Sequence, residues 1–135
     1  MTELYYGPYW ITKAKTVRKR DNYQCQACGI KQCDMKYTLH VHHIIPLRTF
    51  GRNYKKANEL SNLITLCPVC HKHIEKRGIG VLKREPNYQY NYTTTDPKLS
   101  EILNIPLQLK QQDKNHEILN FIHKRIDPVI MRLDL

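Results

Sequence analysis

The chain has 135 residues, with 22 Lys/Arg against 12 Asp/Glu, a formal net charge of +10 and a pI near 9.5. That length suits one domain, or one small domain with an extension, and a core this limited benefits from a staple. So large a basic excess points to a polyanionic partner, and two absences narrow the classes further. No apolar stretch is long enough to cross a membrane, and the start, Met1-Thr2-Glu3-Leu4-Tyr5-Tyr6, lacks the pattern of a secretory signal.

Residues 1–10 are rich in aromatics: Tyr5, Tyr6, Tyr9 and Trp10. Residues 11–20 read as a helix, with Ile11, Ala14 and Val17 on one face and Lys13, Lys15, Arg18, Lys19 and Arg20 around the rest. Asp21-Asn22 should end it. Residues 37–45 are β-branched and aromatic, as in a strand that Pro46 limits. Residues 48–58 carry Arg48, Arg52, Lys55 and Lys56 around Gly51 and read as a basic loop or turn. Leu63-Ile64-Thr65-Leu66 reads as a short second strand. A helix is predicted from near Pro68 to about Arg77, stopped by Gly78 and Gly80.

The character changes after residue 80. Residues 1–80 hold 14 of the basic and 5 of the acidic side chains, so the anion-binding surface belongs there. Tyr88, Tyr90 and Tyr92 alternate along one face of an extended segment; they suit base stacking, but such a stripe more often packs on its own protein. Residues 113–126 read as an amphipathic helix with Ile118, Leu119, Ile122 and Ile126 on one side. It is expected to cover the core or pair with a second copy in a homodimer. The chain thus divides into 1–80 and a partly helical extension, 81–135.

Two cysteine pairs, Cys25-Gln-Ala-Cys28 and Cys67-Pro-Val-Cys70, are the strongest signal. A CxxC turn places two thiolates on one metal, and two such turns complete a tetrahedral zinc shell. Iron with the same ligands and a redox dithiol are the alternatives. In an intracellular, reducing setting such pairs favour metal over disulfides. A four-thiolate zinc has no open position, so any catalysis must come from elsewhere. Cys33 reads as a bystander thiol.

His42 and His43 end the first strand, and His71 follows Cys70. Neighbours on a strand point to opposite faces, so one imidazole can bind metal while the other faces a substrate. His40 and His73 read as structural or solvated, and His116 and His123 as outside the site.

The segments Leu39-His40-Val41-His42-His43-Ile44-Ile45-Pro46-Leu47 and Asn62-Leu63-Ile64-Thr65-Leu66-Cys67-Pro68-Val69-Cys70-His71-Lys72 resemble the HNH nuclease family. The approach Arg20-Asp21-Asn22-Tyr23-Gln24-Cys25-Gln26-Ala27-Cys28-Gly29 is similar to zinc-containing members. The resemblance spans roughly residues 10–77. It implies an α+β fold with a small ββα-metal core stapled by the four-cysteine zinc site and flanked by helical N- and C-terminal extensions. It further implies a metal-dependent endonuclease acting on DNA and leaving a 5′-phosphate and a 3′-hydroxyl. In it His43 is the general base, and Asn62 orients the base or its loop. His42 and His71 hold the catalytic ion, with Glu75 one helical turn later as the third ligand. A carboxylate in that shell favours Mg²⁺ or Mn²⁺. Lys13, Lys15, Arg18, Lys19, Arg20, Arg48, Arg52, Lys55 and Lys56 are the expected phosphate contacts. The rival readings are a zinc-stapled DNA-binding module that does not cut, and a nuclease acting on RNA.

Overall fold

A computed structural model describes residues 6–76, 79–82 and 90–126. The first helix, α1 (Trp10–Arg20), buries Ala14 and Val17 against the central hairpin. Ile11, expected on the same face, is instead 73% exposed, because the helix buries only a narrow stripe. Asp21 caps its C-terminus as predicted.

The hairpin is β1 (His40–His43) paired antiparallel with β2 (Leu63–Leu66), in register His40 to Leu66 and His43 to Leu63. β1 is shorter than the predicted 37–45. The Gln32 side chain intercepts the backbone ahead of it, donating to the Tyr37 carbonyl at 2.8 Å and accepting from the Leu39 N–H at 2.8 Å. All four β2 side chains are buried. The outer edge of β2 is closed by the chain around the first cysteine pair: the Thr65 N–H donates to the Asp21 carboxylate, and the Gln26 N–H donates to the Thr65 carbonyl. Edge groups that would otherwise invite strand addition are thereby satisfied.

The predicted basic loop contains a short helix, α2 (Tyr54–Ala57), capped by the Asn53 side chain. α3 (Pro68–Lys76) packs across β1 and β2. Gly78 and Arg77 lie outside the described residues; Gly80 does not serve as a helix stop but opens β3 (Gly80–Leu82), which pairs with β4 (Asn91–Thr93). Of the tyrosine stripe, Tyr90 and Tyr92 are buried in the core, while Tyr88 lies outside the described residues. Three helices follow: α4 (Pro97–Leu103), α5 (Leu107–Gln111) and α6 (Glu117–Ile126). α4 begins where the Asp96 carboxylate caps the Lys98 and Leu99 N–H groups, with Pro97 at the first position. α6 starts later than the predicted 113, because the Asp113 carboxylate turns back to accept the Ile118 N–H at 2.6 Å. It packs on α3 and α4, with Ile122 fully buried. One hydrophobic cluster joins the cysteine knuckles and Ile64 and Leu66 of β2 to Tyr90, Tyr92, Leu99, Leu103 and Ile122. The apolar face of α6 is therefore taken up by the core.

Candidate metal centres and active site

Cys25 and Cys28 lie in the turn after α1, and Cys67 and Cys70 where β2 runs into α3. The two knuckles match: the Cys28 N–H points to the Cys25 sulfur at 3.5 Å, and the Cys70 N–H to the Cys67 sulfur at 3.4 Å. All four side chains are buried, and their sulfurs lie within 4.8 Å of one another. The Cys28 and Cys67 sulfurs are 3.8 Å apart. Two thiolates about 2.3 Å from one tetrahedral zinc would stand about 3.8 Å apart. Burial, then hydrogen bonding to Cys25 and Cys67, pushes the Cys28 thiol up, while hydrogen bonds from Cys25, Cys28 and Cys70 pull Cys67 down. Four ionised sulfurs in one dry pocket need a shared cation, so the donor set fits a structural zinc. Cys33 is exposed and apart from it.

The second cluster is His42, His71 and Glu75, whose ligand atoms also lie within 4.8 Å of one another. His42 leaves β1 toward α3. His71 and Glu75 sit one turn apart on α3, with His71 Nε2 2.9 Å from the Glu75 carboxylate and His42 Nδ1 3.9 Å from it. Burial pushes His42 down to about 4, helped by repulsion from His71 and His43. Its imidazole is thus neutral at physiological pH, as a metal ligand must be. Two imidazoles and a carboxylate suit a divalent ion of borderline or hard character. His40, on the same face of β1 as His42, is more than a solvated residue. Its Nδ1 shares a 2.9 Å hydrogen bond with Nδ1 of His71, the nitrogen facing away from Glu75.

His43 leaves the opposite face of β1 and is buried. Its Nε2 lies 2.7 Å from Asn58 Oδ1. The orientation of that amide is set by its other end, since Asn58 Nδ2 donates to the Tyr6 carbonyl at 2.6 Å. Oδ1 can only accept, so Nε2 of His43 carries the proton and Nδ1 is the ring's free acceptor. Trp10 and Tyr6 stack on the imidazole, with ring centroids 5.1 and 5.8 Å away and planes within 17° and 4° of it. Gly7 permits this strap: at φ +91 it passes so close to Tyr54 that an added Cβ would meet the Tyr54 Cβ at 2.5 Å. Both halves of the site open on one cleft of about 880 Å³, lined among others by Tyr6, His42, His43, Arg48, His71 and Glu75.

The family model described as HNH endonuclease matches residues 25–77. That segment is an HNH domain. Over 132 residues the chain is 29% identical to the Zorya protein ZorE of Escherichia coli, covering 96% of this chain and 34% of that protein. The chain thus spans about a third of that relative's length. No solved structure matches it.

The HNH domain contains all seven predicted metal ligands together with Asn62 and His43. Asn62 is buried, and its side chain is consumed by backbone. Oδ1 accepts from the Ile45 N–H at 2.8 Å, and Nδ2 donates to the carbonyls of Ala57 and Ile45. It holds the loop after β1, the second of the two roles expected of it, while the contact to the His43 ring comes from Asn58. Tyr6 and Trp10 lie outside the HNH domain, and the aromatic density of the first ten residues is their only signal in the sequence.

Two of the nine predicted phosphate contacts are turned inward. Arg20 binds the buried Asp21 carboxylate, the Leu60 and Leu63 carbonyls and the Tyr90 hydroxyl. Arg18 donates to the Leu39 carbonyl at 2.9 Å. Both brace the HNH domain against α1, because their positions at the end of the helix face the hairpin. Lys15, Lys19, Arg48, Arg52, Lys55 and Lys56 are exposed, and Lys13 is half-buried. Among the described residues, no helix is long and apolar enough to cross a membrane.

Proposed function

We propose that this chain is a metal-dependent endonuclease that hydrolyses DNA phosphodiester bonds. Mg²⁺ or Mn²⁺ would be held by His42, His71 and Glu75, and zinc by the four cysteines. The observation that carries the reading is the 2.7 Å contact of His43 Nε2 with Asn58 Oδ1, which leaves Nδ1 as the nitrogen able to accept a proton, on the same cleft as the three candidate ligands. His43 Nδ1 takes a proton from a water whose oxygen bonds to phosphorus, and the bond from phosphorus to the 3′ oxygen breaks. The products are a 5′-phosphate and, once the leaving oxygen is protonated from solvent, a 3′-hydroxyl. The bound ion would supply charge stabilisation on the phosphoryl and leaving oxygens.

Burial pushes His43 below its usual value, with the Asn58 hydrogen bond opposing. A lowered pKa keeps the base unprotonated at neutral pH. Arg48 on the cleft, with Arg52, Lys55 and Lys56 nearby in sequence, would hold the backbone phosphates without choosing a sequence. Reduced thiols suit an intracellular setting.

Supercoiled plasmid incubated with Mg²⁺ or Mn²⁺, with and without EDTA, tests the assignment. Metal-dependent nicking or linearisation is expected, lost in His43→Ala with zinc content and fold retained. Binding without cutting would favour a zinc-stapled DNA-binding module. Cleavage of RNA alone would move the substrate class.

A further inference from the structure

We infer that residues 90–126 complete the tetrathiolate centre, with His123 a hydrogen-bond donor to its sulfurs and Tyr92 and Lys110 clamping its first knuckle. Zinc retention would then be a property of both halves of the chain. The inference rests on the four-cysteine site and is independent of any nuclease activity.

His123 is buried on α6, with Nε2 3.7 Å from the Cys67 sulfur and 4.0 Å from the Cys70 sulfur. Thiolates bound to a metal can only accept hydrogen bonds, so Nε2 facing two of them is the protonated nitrogen. The preceding residue, Ile122, is fully buried in the common core and fixes the helix that presents the ring. Hydrogen bonds to ligand atoms both orient them and draw off their charge.

The other knuckle is gripped just as closely. Gln26 and Ala27 are the two residues between Cys25 and Cys28. The Tyr92 hydroxyl donates to the Gln26 carbonyl at 2.8 Å, and Lys110 Nζ donates to the Ala27 carbonyl at 2.6 Å. Lys110 also donates to the Leu103 carbonyl at 2.6 Å and lies 5.6 Å from the centre of the Tyr92 ring. It is 6% exposed, an unusual place for an ammonium. Zinc with four thiolates carries a net charge of about −2, and a buried cation beside it offsets part of that charge. Burial lowers Lys110 to about 8, with Cys25, Cys70 and Cys28 acting to raise it, so the ammonium persists at neutral pH.

The test is zinc transfer from the full chain to a colorimetric chelator, 4-(2-pyridylazo)resorcinol, in native buffer. His123→Ala should lose zinc about 10- to 100-fold more readily, in line with the usual effect of removing a partner of a metal ligand. His123→Gln, which keeps a donor, should recover part of the loss. Leu119→Ala removes packing from the same helix but no hydrogen-bond donor, and should lower the melting temperature while leaving zinc transfer near wild type. In the Co²⁺-substituted protein the sulfur-to-metal charge-transfer band should shift in His123→Ala and not in Leu119→Ala. Wild-type transfer in His123→Ala would overturn the inference, as would equal acceleration by Leu119→Ala with no change in the Co²⁺ band. Should His123→Ala fail to fold, His123→Phe, which fills the same space without a donor, decides by the same two readouts, since a wild-type band and transfer rate in that variant would overturn the donor role.

Discussion

Asn58 meets His43 at 2.7 Å, and that one contact selects which ring nitrogen is available to accept a proton. Asn58→Ala should leave substrate binding intact and lower the single-turnover cleavage rate by about 10- to 100-fold, a share of what a general base contributes. Nitrogen NMR of the His43 ring should change from one dominant tautomer to a mixture. Full activity together with an unmoved His43 spectrum would sink the assignment.

Acid should drain stability through the histidines of β1. His42 titrates near 4 in the folded chain against 6.5 unfolded, so between those values only the unfolded chain takes up the proton. The neutral ring's contribution is complete above pH 6.5 and fades as pH falls toward 4, by about 3 kcal/mol for this residue. His40 and His43 are lowered too and act in the same sense. Urea unfolding at pH 7.5 and pH 5 should show a lower midpoint at pH 5, with a smaller difference in His42→Asn. Equal differences in the two proteins would rule out His42 as the source.

Removing one sulfur should unmake the clamp. Cys67→Ser is expected to release zinc and to lower stability by about 3 kcal/mol or more, or about 10 °C in melting temperature. Unchanged metal content and melting would contradict the four-cysteine site.

His40 should matter without touching substrate. Its bond to Nδ1 of His71 orients the ring whose Nε2 faces Glu75. His40→Ala should weaken Mn²⁺ binding, read by electron paramagnetic resonance, by about 10-fold, while His42→Ala weakens it further. Mn²⁺ affinity equal to wild type in His40→Ala would show that the bond does not position His71.

Arginine and lysine substitutions should separate cleanly. Arg20→Ala leaves the fully buried Asp21 carboxylate without its guanidinium and should destabilise the fold by about 3 kcal/mol. Lys55→Ala and Lys56→Ala should leave melting unchanged, weaken DNA binding alike on any sequence, and each reduce the salt slope by about 1. A fold as stable without Arg20 as with it would return that residue to the DNA surface.

The two clusters of candidate ligands are traceable in the sequence because CxxC spacing, strand alternation and a helical turn are local patterns. The spans of α1, β2 and α3 are legible too, from a basic helical stretch, a short apolar run and a proline start, although Ile11 leaves the predicted face and β2 is buried on both sides. Asn58, Lys110 and His123 carry no such mark. Their roles arise from contacts with Tyr6, Ala27 and Cys67, which lie 52, 83 and 56 positions away along the chain. Arg20 misleads for the converse reason: a charge at the end of a basic helix reads as surface until tertiary packing supplies carbonyls for it. The truncation of β1 follows from Gln32, whose amide replaces a strand partner at Tyr37 and Leu39.

The pairing of His42 with Ile64 and His43 with Leu63 imposes a rule of parity on this hairpin. Sliding β1 by a single position would put each imidazole on the wrong face, His43 on the side of Glu75 and His42 on the side of Trp10. A slip of two would restore the faces but carry both rings about 7 Å along the strand, out of reach of Glu75 and Asn58, so the hairpin admits no change of length between its histidines and its turn.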